Sequence, residues 1–231
     1  HYNPVTGFRI AIDAGYYIGD GQSLPFAVYS VSPPADFYKP FPLTEDVQVT
    51  GQWDWDSYLK WPMFLNGYTT FRDVDLNEFA IVVIDVRLLK VSSSSAGTVE
   101  PFGWTALQVF DSEGYIGMGT FQLPLFKGSP PMDILEMMQK EDIASVIWRE
   151  SGKPGAKRRK ALKLAPLTFM EPASVIVRIA DSQLGNLAPS KFNLRATELL
   201  YVEWERRDKY ECDLEQVSKG AMFGLGQKPQ R

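Results

Sequence analysis

One cysteine, Cys212, and one histidine, His1, are all that the 231 residues contain of those two types. A lone cysteine cannot form an internal disulfide, which suits a reducing compartment. A single histidine at the first position cannot supply a Ser/His/Asp or Cys/His arrangement inside a folded core. Zinc needs several Cys or His ligands, so no zinc site is expected. No GxxxxGK[ST] phosphate loop occurs, and no GxGxxG follows a strand. The glycine-rich stretch 220–226 follows no strand and opens no helix. No apolar run reaches the ~18 residues that a membrane-spanning helix requires. No signal peptide is visible, and the first residue is His rather than Met, as in a fragment of a longer chain. Net charge is only −4, which gives no case for nucleic acid.

What is present points to a β-rich domain. Apolar residues make up 45% and aromatics 13%, enough for one large core. Three runs organise the chain: residues 79–89 (Phe79-Ala-Ile-Val-Val-Ile-Asp-Val-Arg-Leu-Leu), residues 103–111 and residues 119–126. Each is apolar, β-branched or aromatic, and turn residues separate them, as in consecutive antiparallel strands. Alternation in the first puts Val82, Ile84, Val86 and Leu88 on a core face. Ile81, Val83, Asp85 and Arg87 share the other, which turns polar as if reaching solvent. Asp111-Ser-Glu-Gly114 reads as a turn. Residues 92–97, Ser-rich with Gly97, read as a flexible loop tip.

Residues 7–14 alternate as a half-buried strand, with Phe8, Ile10 and Ile12 on one face. Residues 24–31 form a second, expected to be its antiparallel neighbour. A short strand is expected within 71–76, another over 173–180, and a last strand or strand pair around 199–204, where strand and helix patterns fit almost equally. Residues after 219 read as a loose tail.

The run Gly103-Trp-Thr-Ala-Leu-Gln-Val-Phe-Asp-Ser-Glu-Gly114, with Gly119 and Leu123-Pro-Leu-Phe126, resembles the late strand pair of C2 domains. Its nearest variants occur in phosphoinositide 3-kinases and in C2-like regions of coiled-coil ciliary proteins. The opening residues 2–13 are similar to the start of such a ciliary C2-like region. The resemblance implies an all-β, antiparallel C2-like sandwich of about eight strands. It implies a single domain over 1–218, with insertions at about 35–70 and 128–170. In calcium-binding C2 domains acidic side chains converge from loops at one end, because Ca²⁺ takes about six to eight oxygen ligands. Asp111 and Glu113 fall where part of that set would lie, but the later Asp is missing. Asp13 and Asp20 are poorly spaced. Asp13 could contribute only if the strand end beside Gly15 approached the Asp111 turn. The resemblance is therefore to calcium-independent members, with no metal and no cofactor, which serve protein or weak lipid contacts.

Two stretches could carry such contacts. Residues 35–68 are rich in aromatics and proline, and Trp53, Trp55 and Trp61 are its candidate partner-binding residues. The bland reading is a long connection clamped on by its rings. Lys153, Lys157, Arg158, Arg159, Lys160 and Lys163 form the one concentrated basic patch, expected as a loop. It is either simply solvated or a site for anionic headgroups or an acidic protein surface. Before it, residues 130–149 carry apolar residues at helical spacing, implying one long helix or two short ones. The carboxylate pairs Asp54/Asp56 and Asp73/Asp75 read as solvated charge.

The functional expectation is a non-enzymatic interaction module of a cytoskeletal or ciliary scaffold protein, located in the cytoplasm. Its partners would be cytoskeletal or ciliary proteins and not nucleic acid. The alternative is calcium-independent docking to anionic membrane lipids.

Overall fold

The first strand is covered on both faces rather than half-buried, since only Arg9 and Asp13 escape full burial. In β1 (Phe8–Tyr16) the side chains of Phe8, Ile10 and Ile12 are buried, as their spacing requires. The computed structural model describes residues 2–32, 47–50, 54, 59–74, 76–92, 95–164, 167–184 and 199–201. The remaining strands are β2 (Leu24–Ser32), β3 (Gln48–Val49), β4 (Thr69–Phe71), β5 (Ile81–Ser92), β6 (Ser95–Gln108), β7 (Gly119–Lys127), β8 (Phe169–Asp181) and β9 (Leu199–Tyr201). Three helices lie between β7 and β8: α1 (Met132–Met138), α2 (Ile143–Ser151) and α3 (Lys153–Ala161).

The fold is mainly antiparallel β. One path runs β3-β2-β5-β6-β7-β8-β1-β4, and β9 lies off it, parallel to β7 at Thr120–Gln122. The two ends of this path nearly meet. Tyr29 of β2 shares a 2.9 Å hydrogen bond with Thr69 of β4, and its ring meets Phe71 edge-on. The β6–β7 seam is short, with only Gly103 and Trp104 paired, to Lys127 and Phe126.

Several expectations need correction. β1 does not pair with β2. Its partners are β8 and β4, because β8 carries the matching apolar face (Val175, Val177, Ile179) from far along the chain. The Ser-rich stretch is not simply a loop tip. β5 extends to Ser92 and β6 begins at Ser95, with those two residues in register. The short strand expected within 71–76 is instead Thr69–Phe71. Asp85 does not reach solvent. It is 4% exposed, because β5 is covered on both faces. The basic stretch is a helix, α3, and not a loop.

The residues 130–149 form two short helices. α2 starts at Asp142, whose carboxylate accepts from the Ser145 N–H at 2.9 Å. Ile134, Leu135, Met138, Ile143, Val146 and Ile147 are buried in the same core as the sheet. Burial of each such side chain contributes roughly 1.5–3 kcal/mol, which is what attaches this helical segment to the frame.

The register defines two ends of the sheet. The end of β1, the β5–β6 connection, the end of β7 and the start of β8 lie at one. The start of β1 and the β6–β7 connection lie at the other, where the Tyr2 N–H approaches the Gly114 carbonyl at 3.4 Å.

Candidate functional site

At the first end, residues 60–64 zip along β1. Gly15 N–H donates to Pro62 O, Ile18 N–H to Lys60 O and Phe64 N–H to Asp13 O, each at 2.8 Å. This pairing brings Trp61 onto Tyr16, stacked at 5.8 Å. Tyr17 stands edge-on to the same Trp61 at 5.8 Å and is 47% exposed. Its backbone is left-handed, with φ +50°. That conformation is uncommon for a residue with a bulky side chain, and it turns the ring outward. Trp61 is thus part of an aromatic group that includes Tyr17, which the sequence did not single out. Trp53 and Trp55 lie outside the described residues.

Beside Trp61 the bulged residue of β1, Asp13, faces β8. Arg178 donates to it at 2.7 Å, and the guanidinium lies 5.0 Å from the centre of the Tyr68 ring. Burial pushes the Asp13 carboxyl above its ordinary value, with Arg178 opposing that shift.

α3 is held by two residues one turn apart. Gly155 packs on the backbone of Arg149 and Glu150, and Arg159 reaches inward. Arg159 is 1% exposed and pairs with Asp133 of α1 at 2.8 Å, with Glu150 of α2 4.0 Å away. Glu150 is itself buried and accepts from Arg149 at 3.2 Å and Arg158 at 3.0 Å. The ion cluster therefore ties the three helices together. Of the predicted basic residues, Arg159 faces the protein, Lys157, Arg158, Lys160 and Lys163 are exposed, and the side chain of Lys153 lies outside the described residues. The Gly155/Arg159 spacing is the signal that could have found the inward-facing cation. The exposed leucines Leu162 (59%) and Leu164 (37%) flank Lys163 and were not anticipated as surface features.

The acidic positions weighed for calcium are distributed otherwise. Asp111 Oδ1 accepts from the N–H groups of Glu113 at 2.9 Å and Tyr115 at 2.8 Å, closing the turn at Gly114 (φ +79°). Asp20 accepts from Gln22 and Ser23, and those backbone bonds hold its carboxyl down at about 2. The strand end beside Gly15 does not approach the Asp111 turn. The two lie at opposite ends of β1, seven residues or roughly 23 Å apart along the strand. Among the described residues no group of three or more His, Cys, Asp and Glu side chains could hold a metal ion. No described helix is long and apolar enough to cross a membrane.

No protein-family model matches this chain, and no curated protein matches it.

Proposed function

We propose that this chain is a C2-like β-sandwich that serves as a non-enzymatic protein-interaction module of a cytoplasmic cytoskeletal or ciliary scaffold. In this reading β3, β2, β5 and β6 form one layer and β7, β8, β1 and β4 the other. They meet at the short β6–β7 ladder. The similarity of residues 103–126 to the late C2 strands supports that assignment.

The observation that carries the functional reading is Tyr17. A half-exposed ring on a left-handed, non-glycine backbone is held against Trp61 at the end of a rigid sheet. Strained backbone of this kind persists where the surrounding structure enforces it, and such positions cluster at functional sites. Exposed aromatic anchors concentrate binding energy in protein interfaces. The buried carboxylates Asp85 and Glu150 accept from guanidinium groups, and the Asp111 carboxylate accepts from backbone N–H groups. Those contacts support a structural role for these carboxylates, in keeping with this reading.

Affinity purification of the tagged full chain from ciliated cells tests the reading. Tyr17→Asn removes the ring and keeps a residue that tolerates the left-handed backbone. Cytoskeletal or ciliary proteins should be recovered with the wild type and depleted with the variant. Recovery of no protein of that class, or equal recovery by both, would reject the reading.

A further inference from the structure

We infer that the exposed side of α3 and its C-terminal cap, formed by Lys157, Lys160, Leu162, Lys163 and Leu164, binds an acidic, leucine-containing segment of a protein partner. The inference rests on the interaction-module reading and names the chemistry of one contact.

From Gly152 to Met170 the chain contains no Asp or Glu. The cations of this stretch whose side chains are described divide in two. Arg158 and Arg159 are ion-paired to Glu150 and Asp133. Among the described residues, Lys157, Lys160 and Lys163 have no salt-bridge partner and are exposed. At spacings of three they follow one side of the helix and continue into its cap.

The cap fixes the group. Leu164 N–H donates to Arg159 O at 2.9 Å and Lys163 N–H to Lys160 O at 3.1 Å. This is the Schellman arrangement, whose left-handed position glycine usually fills. Here Lys163 fills it at φ +55°, retaining a cation where glycine would remove the strain. Leu162 and Leu164 lie on either side, both exposed. Three lysines on a backbone held by the helix and its cap, with Leu162 and Leu164 on either side of the last, complement carboxylates with leucine-sized groups among them.

An anionic bilayer fits less well. Apart from Leu162 and Leu164 in the cap, the non-cationic residues of α3 whose side chains are described are Gly155, Ala156 and Ala161, so the helix itself has no apolar face to bury in lipid. Three lysines alone attract a bilayer only weakly.

The test uses the full chain and a fluorescein-labelled helical peptide with glutamates and leucines along one face. A control peptide carries glutamines in place of the glutamates. Fluorescence anisotropy should show binding of the glutamate peptide that weakens with added salt. The variant K157E/K160E/K163E should lose affinity by about tenfold or more. The matching lysine-to-arginine variant should stay within about twofold, because charge and reach are kept. L162S/L164S should weaken binding of the same peptide with less effect on its salt dependence. Vesicles of phosphatidylcholine with phosphatidylserine form the comparison arm. Absence of peptide binding, equal binding of the glutamine peptide, or full affinity after charge reversal would overturn the inference. Binding to the phosphatidylserine vesicles without binding to the peptide would overturn it in favour of a lipid surface. If the charge-reversed chain still co-purifies cytoskeletal proteins while the peptide fails, α3 is removed from the interface and the module reading stands.

Discussion

Gly155 lies so close to Arg149 that a Cβ added to the glycine would collide with the arginine's carbonyl oxygen. Backbone against backbone at this point is what sets α3 on the end of α2. Gly155→Ala must push the helices apart, and overpacking of this kind costs about 1–3 kcal/mol. Urea unfolding should show that loss, and hydrogen exchange should accelerate across α3. Wild-type stability with unchanged exchange would mean that α3 is not seated this way.

Cations a few residues apart should behave unlike one another. Arg159→Met leaves the partly exposed Asp133 without this partner and removes one of three cations around buried Glu150, and loss of a hydrogen bond between charged groups costs about 1.5–3 kcal/mol. Lys157→Gln and Lys160→Gln remove exposed charges and should stay within about 0.5 kcal/mol of wild type. Thermal or urea unfolding of the three variants separates the two kinds of site. Equal, small effects would contradict the inward placement of Arg159.

Two aspartates should respond to pH with opposite sign. Burial pushes the Asp85 carboxyl above its ordinary 3.8, with Arg87 opposing that rise. Asp85 therefore holds its proton more tightly when folded. Its contribution to stability is fully present below 3.8 and is lost as pH rises through the folded value. Relative to wild type, Asp85→Asn should gain stability as pH rises through that interval. Asp20, held down at about 2 by the Ser23 and Gln22 N–H groups, contributes above 3.8 and loses that contribution as pH falls toward 2. The deficit of Asp20→Asn should therefore shrink in acid. Urea titrations of both variants across pH check each sign.

Calcium should leave the fold unchanged. Asp111 spends one carboxylate oxygen on two backbone N–H groups, and Asp13 faces Arg178 on a distant part of β1. A micromolar site would be saturated at 1 mM Ca²⁺ and would add roughly 4 kcal/mol at a thousandfold excess over its Kd. The expected change in Tm between 1 mM Ca²⁺ and chelator is nil. A rise of several degrees, abolished by Asp111→Asn, would contradict this.

Much of the β framework was legible because alternation is local. Phe8, Ile10 and Ile12, the 82–88 face and the Asp111–Gly114 turn all read correctly from their own few residues. Pairing was not legible. Only the distant apolar face of β8 shows why β1 passes over β2. Asp85 looked solvent-facing because charge was visible and the covering layer was not. Within Lys157-Arg158-Arg159-Lys160 the four residues differ little as a string. Helical phase from Gly155 selects Arg159 for burial, and that phase is visible only once the stretch is known to be helical. Tyr17 carried no sequence signal, since nothing marks a tyrosine for a left-handed backbone.

Hydroxyl-radical footprinting of the protein within the assembly that co-purifies with it tests the interaction-module reading most directly. Tyr17, Trp61, Leu162 and Leu164 should be protected relative to the free chain. Tyr115 and Met118, exposed on the β6–β7 connection at the opposite end of the sheet, should keep their free reactivity. Protection of Tyr115 and Met118 with none at Tyr17, Trp61, Leu162 and Leu164 would contradict the proposed interface.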